Sequence, residues 1–229
     1  MDLKTALKKT KYLIPSSTVL MLHHVTEGEP TNSITLTKRH FEELLQSFSC
    51  FAGVNEILEA PAAKRIALSF DDGYDNLYTV AYPLLKEKSV PFTVFIAPSF
   101  IGKDGYLTKE QLLTLAQDPL VTVGSHGLTH LALKGQNAEI QERELMESKA
   151  RLEDLTGAPV DLLAYPNGQA DDTTFAVLQQ KNAYRYAFLA AGGGINTFSR
   201  QRFAMPRLRM DEKAWAASSE MLRFAYGAD

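Results

Sequence analysis

Short apolar segments alternate along the chain with longer segments whose apolar residues recur at a helical period. Seven of the short segments predict strands: Val19–His23, Ile66–Phe70, Phe92–Ile96, Val121–Ser125, Leu162–Tyr165, Tyr186–Leu189 and Phe203–Met205. Strands that alternate with helices are typical of an α/β fold with a parallel sheet. Seven strands favour a barrel-like arrangement of that sheet.

The helical segments carry one apolar face each and several recognisable ends. Apolar spacing predicts a helix through Phe41, Leu44, Leu45 and Phe48, and a longer one through Ile140, Leu145, Leu152 and Leu155. Thr108 begins a capping-box sequence, and Asp171 precedes the acidic first turn of another helix. Pro83 is expected to kink or delay the helix within residues 76–88.

Composition and length favour one ordinary globular domain. The chain has 229 residues, 45% hydrophobic and 22% charged, with no repeat, linker or shift in composition that would divide it. We therefore predict a single domain over residues 1–229, with residues 1–17 as an N-terminal extension. The lone Cys50 excludes an intrachain disulfide and is interpreted as a buried thiol.

Charge and hydropathy exclude several classes of partner. The net charge is −3 without a long run of one sign, which argues against binding to nucleic acid or an anionic membrane. No apolar run approaches the ~18 residues of a membrane span. The run after the N-terminal lysines lacks a cleavage site and is interpreted as a strand, so we expect a cytoplasmic protein. The run Gly192–Gly194 is expected to be a flexible turn rather than a phosphate loop.

Polar residues follow the predicted strands where each strand ends. They are His23-His24, Asp71-Asp72-Gly73, Ser125-His126 with His130, Pro166-Asn167-Gly168, and Arg207. In a parallel α/β barrel the carboxyl ends of the strands meet at one face, which carries the chemistry. We therefore expect these side chains to lie close together.

The residue types at these strand ends indicate a metal-dependent hydrolase. His126 and His130 are four residues apart and can face one point, and a carboxylate from another strand end would complete a two-histidine, one-carboxylate site with open positions. The second carboxylate is then free to act as base, and His23 or His24 could be the acid. The alternatives are a polar loop for the histidines and a turn for Asp71-Asp72-Gly73.

The same residues resemble the polysaccharide deacetylases of the NodB-homology or carbohydrate esterase family 4 type. Three segments are similar to family motifs: Leu68–Gly73, His126–His130 with Gly127 in place of a hydroxyl residue, and Ala164–Gly168. The resemblance runs from about Val19 to Met210 and implies a distorted (β/α)7 barrel. It also implies that Asp71 is the base and that Asp72, His126 and His130 are the metal ligands.

The chain departs from the family pattern in two places. Ala164 stands where the third motif usually begins with Arg, and no histidine follows His130 to serve as the usual acid. A subset similar to the exopolysaccharide deacetylases of biofilm synthesis opens with Tyr-His-x-Val, which Leu22-His23-His24-Val25 resembles. His23 is therefore the preferred acid and His24 the second choice. Period two in a strand sends only one of them into the pocket.

The family resemblance also suggests residues that position the base or bind the substrate. Arg207 is similar to the closing Leu-Pro-Arg segment of the subset and could orient the base carboxylate, with a surface arginine as the alternative. Tyr165, Pro166 and Asn167 are candidates for the substrate and oxyanion site. Core packing and a rigid turn are the alternatives for Tyr165 and Pro166, while the backbone N–H of Asn167 could bind the oxyanion.

Together these features predict a metal-dependent enzyme that removes N-acetyl groups from an amino sugar in a saccharide or glycoconjugate. We expect one divalent ion, Zn²⁺ first with Co²⁺ or Ni²⁺ as alternatives. An amide hydrolase for a small non-sugar molecule and a non-catalytic carbohydrate-binding relative are the competing interpretations. The sequence does not identify the sugar, the pathway or the oligomeric state.

Overall fold

A computed structural model describes residues 17–30, 32–190 and 201–226 of the chain. Residues 1–16 of the predicted N-terminal extension and the Gly192–Gly194 turn lie outside the described residues. Within the described part, no helix is long and apolar enough to cross a membrane.

Nine strands are present among the described residues. They are β1 (Thr18–Leu22), β2 (His24–Thr26), β3 (Thr35–Thr37), β4 (Ile66–Phe70), β5 (Phe92–Ile96), β6 (Val121–Ser125), β7 (Leu162–Ala164), β8 (Tyr186–Phe188) and β9 (Leu208–Arg209). Seven form one parallel sheet in the order β8-β7-β6-β5-β4-β1-β9, and β2 pairs with β3. The first six predicted strands are confirmed, whereas β2 and β3 were not predicted.

Helices follow the strands and cover the outside of the sheet. They are α1 (Lys38–Ser47), α2 (Val54–Glu59), α3 (Tyr82–Glu87), α4 (Lys109–Gln117), α5 (Ala138–Thr156), α6 (Asp172–Lys181) and α7 (Glu212–Tyr226). Thr108 caps α4 as predicted, and Asp171, which was expected only to precede an acidic first turn, caps α6; each accepts a hydrogen bond from the N–H three residues on. A π-helix, Leu77–Ala81, runs directly into α3. Pro83 lies just after this junction, and the irregular helix beside it is consistent with the missing N–H of proline, which cannot complete the helical ladder.

The predicted strand at Phe203–Met205 is wrong in its position. Met205 forms only an isolated parallel bridge with Phe188, and the last strand is Leu208–Arg209, paired with β1. Pro206 lies between them and cannot donate to a ladder, so the segment changes partner there. The sheet therefore curls into an incomplete barrel whose gap between β8 and β1 is crossed by this broken segment.

Side chains along the central strands point alternately to the two faces of the sheet. On β1, Leu20 and Leu22 pack in the larger cluster beneath the helices, while Val19 packs in a second cluster with Ala67 and Phe95. Because side chains alternate along a strand, the residues that continue the Val19 and Ala67 series enter the interior of the barrel. That series continues to His23, directly after β1, and to Asp71, directly after β4.

Candidate metal centre

The predicted site residues come together at the carboxyl ends of β1, β4 and β6. Parallel pairing of β1 with β4 places Met21 beside Ser69, and Asp71 donates its N–H to the carbonyl of Leu22. His126 follows β6 and donates its N–H to the carbonyl of Ile96 at the end of β5. The predicted convergence of polar residues at the strand ends is therefore what the fold produces.

Asp72, His126 and His130 form a compact cluster. Their ligand atoms all lie within 4.8 Å of one another. One Asp72 carboxylate oxygen, Oδ1, is 3.1 Å from Nε2 of His130 and 3.4 Å from Nε2 of His126. The two imidazole centroids are 4.9 Å apart. Asp72 has φ +71° and His130 has φ +63°, so two of the three candidate ligands adopt the left-handed conformation that non-glycine residues seldom adopt.

The donor atoms of this cluster suit a cation. Nδ1 of His126 lies 2.8 Å from the carbonyl oxygen of Ala164, which can only accept, so Nδ1 carries the proton. In the neutral ring, Nε2 then turns its lone pair toward Asp72. Asp72 Oδ1 is buried without a hydrogen-bond partner. A divalent cation between these lone pairs would satisfy all three groups, so the residues fit a metal of the zinc class.

Electrostatics point the same way. Burial raises the pKa of Asp72, but interactions with His126 and His130 outweigh it and hold that pKa well below its usual range. Burial lowers the pKa of His126, yet the negative charges of Asp71 and Asp72 raise it overall. The pocket therefore attracts positive charge, as a proton or as a cation.

Asp71 has a different partner from its neighbour. The guanidinium of Arg207 donates to both of its carboxylate oxygens, at 2.6 and 2.7 Å. Arg207 is completely buried, also donates to Ser69 Oγ at 3.2 Å, and lies 5.2 Å from the Phe95 ring centroid. Burial raises the pKa of Asp71, but Arg207 and His126 lower it by more, so the pKa lies below its usual value and the carboxylate is ionised at neutral pH. The alternative of a surface arginine does not apply to Arg207.

The two adjacent histidines occupy different surroundings. His23 interacts electrostatically with Asp71, Asp72, Arg207 and His126, and burial lowers its pKa against the opposing effect of the carboxylates. His24 stacks on Tyr74 with centroids 3.7 Å apart and hydrogen-bonds Asn76. Period two therefore separates them, with His23 on the interior face and His24 beside the Tyr74 ring.

The third segment contributes packing and a turn at the edge of the cluster. Tyr165 is fully buried, and its hydroxyl donates to the carbonyl of Phe203 at 2.8 Å. Pro166 is buried against the loop that carries the histidines. Asn167 is exposed and adopts a left-handed φ of +57°. The side-chain hydroxyl of Tyr165 is thus occupied within the core.

Comparison with known proteins agrees with this geometry. A family model described as polysaccharide deacetylase matches residues 59–187, which is more than half of the chain. The chain belongs to the polysaccharide deacetylase family. The match includes the Asp71-Asp72 segment and the His126–His130 loop, so the predicted family is confirmed.

Individual relatives of this family member are distant in sequence. YxkH from Bacillus subtilis is 26% identical over 202 residues, covering 84% of this chain and 70% of the relative. The poly-β-1,6-N-acetyl-D-glucosamine N-deacetylase of Staphylococcus epidermidis is 23% identical, covering 91% of this chain and 83% of the relative. The structure of IcaB from Ammonifex degensii has a TM-score of 0.81 at 20% identity, covering 91% of this chain and 97% of that one, and supports the fold.

A series of aromatic side chains in contact lies beside the Asp72–His126–His130 cluster and was not predicted from the sequence. Ring centroids lie 4.9 Å apart between Tyr74 and Tyr106, 4.6 Å between Tyr106 and Phe100, and 5.8 Å between Phe100 and His130. With His24 on the other side of Tyr74, the rings form one continuous series that ends on a candidate ligand. No local pattern indicates it, because its members come from different strand-end loops.

A second missed feature is a buried polar stripe on α5. Gln141, Glu144 and Ser148 are at most 1% exposed, on the same helix face as Leu145 and Leu152. Their positions share the apolar period that predicted the helix. Polar residues at these otherwise apolar positions could have indicated buried hydrogen bonds, since polar groups on the buried face of a helix need partners inside the fold.

Proposed function

We propose that the protein is a metal-dependent hydrolase that removes N-acetyl groups from an amino sugar in a saccharide or glycoconjugate. The proposal rests mainly on the different surroundings of two adjacent carboxylates at the strand ends. Asp72 faces His126 and His130, while Asp71 is held by Arg207. Polymers of β-1,6-linked N-acetylglucosamine are the first substrate to test, because the S. epidermidis relative carries that name.

Asp72, His126 and His130 would hold one divalent ion, Zn²⁺ first and Co²⁺ or Ni²⁺ as alternatives. Such an ion supplies a Lewis acid for the acetyl carbonyl and lowers the pKa of a water molecule toward about 7. Nδ1 of His126 donates to the carbonyl of Ala164, which fixes the ring with Nε2 toward Asp72, where it would be free to bind the ion. Asp72 brings the negative charge that a divalent ion requires.

Asp71 would take the proton of the attacking water. It is ionised at neutral pH, and the two hydrogen bonds from Arg207 hold its carboxylate in one orientation. Arg207 is thus a positioning residue for the base. The backbone N–H of Asn167 would donate to the oxyanion as the tetrahedral centre forms.

His23 would protonate the departing amine. It lies on the interior face of the barrel, where it interacts with Asp71 and Asp72. Burial lowers its pKa, so His23 is a weak base and gives up a proton readily once it holds one. His24, which is engaged with Tyr74 and Asn76, is the second choice.

Metal content and acetate release test the proposal together. Elemental analysis should find about one divalent ion per chain in the wild type and none in His126→Ala, because one site of three ligands loses an essential donor. The loaded wild type should release acetate from β-1,6-linked N-acetylglucosamine oligomers. No bound metal after incubation with Zn²⁺, Co²⁺ or Ni²⁺ would overturn the mechanism. Metal without acetate release would favour a non-catalytic carbohydrate-binding protein.

A substrate panel separates the sugar from a small amide. Free N-acetylglucosamine, its β-1,6 and β-1,4 oligomers and a small non-sugar N-acetyl amide are compared at equal concentration. The proposal expects the oligomers to be hydrolysed fastest. Faster hydrolysis of the non-sugar amide would assign the same centre to a different substrate class.

A further inference from the structure

Glu144 of α5 is almost completely buried, at 1% exposure, beside the loop that joins His126 to His130. Its carboxylate accepts three hydrogen bonds from that loop. Oε2 accepts from the N–H groups of Leu128 at 3.0 Å and Thr129 at 2.9 Å, and Oε1 accepts from the Thr129 hydroxyl at 2.8 Å. A buried carboxylate is costly unless such donors compensate it. Here the donors are two peptide N–H groups and one hydroxyl group of residues between the two candidate metal ligands.

The loop depends on contacts of this kind for its shape. It is not part of a helix or strand, and it contains left-handed φ values of +73° at Gly127 and +63° at His130. The N–H of Gly127 is bound by Ser125 Oγ, which itself pairs with Ser148 Oγ of α5 at 2.7 Å. Side chains one helical turn apart on α5 therefore support consecutive parts of the loop.

Gly127 shows how closely the loop and its support fit. A Cβ at this position would lie 3.1 Å from Cγ of Pro166 and 3.5 Å from Oε2 of Glu144, at a φ that disfavours any side chain. Gly127, the first residue after His126, is therefore a position where only glycine fits well. It packs between Glu144 of α5 and Pro166.

We propose that Glu144 is a positioning residue for the metal centre. By fixing the peptide groups of Leu128 and Thr129, it holds the imidazoles of His126 and His130 at the spacing that one ion requires. The inference rests on the proposed function, in which these histidines bind a divalent ion. Glu144 contacts the backbone between the ligands rather than the ion. Loss of an outer partner of this type costs about 10–100-fold in metal affinity.

The test measures the Zn²⁺ dissociation constant of metal-stripped protein by competition with a chromogenic chelator. Glu144→Gln keeps the size of the side chain but removes its charge and one acceptor, and we expect at least a ~10-fold weaker affinity. Thr129→Val removes one of the three hydrogen bonds from the exposed partner, and we expect a loss of about threefold. Hydrogen exchange at the Leu128 and Thr129 amides should become faster in Glu144→Gln with or without metal.

Gln141→Ala is the matched control. Gln141 is fully buried on the same helix, but it donates to the Gln136 carbonyl and to Asp171, away from the histidine loop. Urea unfolding of the stripped proteins measures the structural cost of each change. We expect Gln141→Ala to lower stability while leaving Zn²⁺ affinity within about twofold of the wild type, as for an independent site.

The outcomes separate the inference from the function on which it rests. A folded Glu144→Gln protein with wild-type Zn²⁺ affinity would overturn the inference, as would an equal loss of affinity in Gln141→Ala. Should Glu144→Gln not fold, Thr129→Val decides, and an unchanged affinity there overturns the inference. A wild type that binds no divalent ion overturns the proposed function, and the inference with it, before any variant is made.

Discussion

At the scale of single residues, adjacent carboxylates receive different roles from their surroundings. Asp71 continues the interior face of β4 and meets Arg207, whereas Asp72 turns through a left-handed φ toward His126 and His130. Two like charges in one buried turn would otherwise oppose each other. Each carboxylate instead has a positive or potentially positive partner, so under the proposed function one pair would provide both a base and a metal ligand.

Replacing the base should separate metal binding from turnover. Asp71→Asn keeps the shape of the side chain and leaves Asp72, His126 and His130 in place, so Zn²⁺ content should stay near that of the wild type. Loss of the proton acceptor should lower kcat by ~10²–10⁴-fold. Metal analysis and acetate release on the same preparation measure both quantities. Asp72→Asn, which should lose the metal, is the control, and near-normal turnover in Asp71→Asn would remove Asp71 as the base.

The buried Asp71–Arg207 pair should show strong coupling in a double-mutant cycle. Arg207→Met leaves a buried carboxylate without its cation and should lower the free energy of unfolding by about 3–5 kcal/mol. Asp71→Asn together with Arg207→Met removes both charges and should recover part of this loss. The cycle compares the unfolding free energies, measured in urea, of the metal-stripped wild type, the two single variants and the double variant. Simple additivity of the two single changes would show that the pair is not energetically coupled.

At the scale of secondary-structure elements, local signals located helix ends well. The capping box at Thr108 and the acidic helix start at Asp171 were predicted because such end signals depend only on a few neighbouring residues. Asp171 has a wider role that the sequence could not reveal. It also accepts from the N–H of Gly135 at 2.7 Å and from Gln141 Nε2 at 3.3 Å, so it ties the start of α6 to α5 and its preceding loop.

Removing the charge of Asp171 should weaken the fold in a pH-dependent way. Hydrogen bonds from the Gly135 and Thr174 backbones hold the pKa of Asp171 below its usual value. The stabilisation is therefore complete above the unfolded pKa of about 4 and is lost as pH falls through the lower folded pKa. At pH 7, Asp171→Asn should lower the unfolding free energy by about 1 kcal/mol. Urea unfolding at pH 7 and pH 3 should show this difference shrinking in acid, and an equal difference at both values would contradict the charge-based account.

Strand prediction failed at a segment interrupted by proline and at two very short strands. The segment Phe203–Met205 has strand-like residues, yet only Met205 pairs, and the chain passes Pro206 before it joins β1 as Leu208–Arg209. Its partners, Phe188 and Leu20, are distant in sequence. The β2–β3 pair was missed for a related reason, since three-residue strands carry almost no periodic signal.

At the scale of the whole molecule, the centre joins distant parts of the chain. Asp72 follows β4, His126 and His130 follow β6, and Arg207 arrives just before β9 to reach Asp71. An ion bound at this candidate centre would link segments that separate on unfolding, so it should stabilise the folded state as a whole. The predicted single domain and cytoplasmic location stay predictions, which limited proteolysis and fractionation of the source cells would test.

Metal loading should raise the melting temperature. At a free Zn²⁺ concentration of about 100 times its dissociation constant, binding adds about 2.7 kcal/mol to the folded state. For a chain of this size that corresponds to a rise of about 5–10 °C. Calorimetry of the stripped and loaded wild type measures it, and His126→Ala should show no such rise. An equal rise in His126→Ala would mean that Zn²⁺ stabilises the protein from another site.

The sequence by itself determined the α/β class, six strands of the main sheet, the capping box at Thr108 and the residue types of the candidate centre. These follow from period, capping and spacing, which act over a few neighbouring residues. Only the tertiary structure decided that Arg207 is buried against Asp71, that His23 and not His24 faces the interior, and that Glu144 supports the histidine loop. Each of these depends on strand register or on helix packing between segments far apart in the chain, and no local pattern encodes such distances.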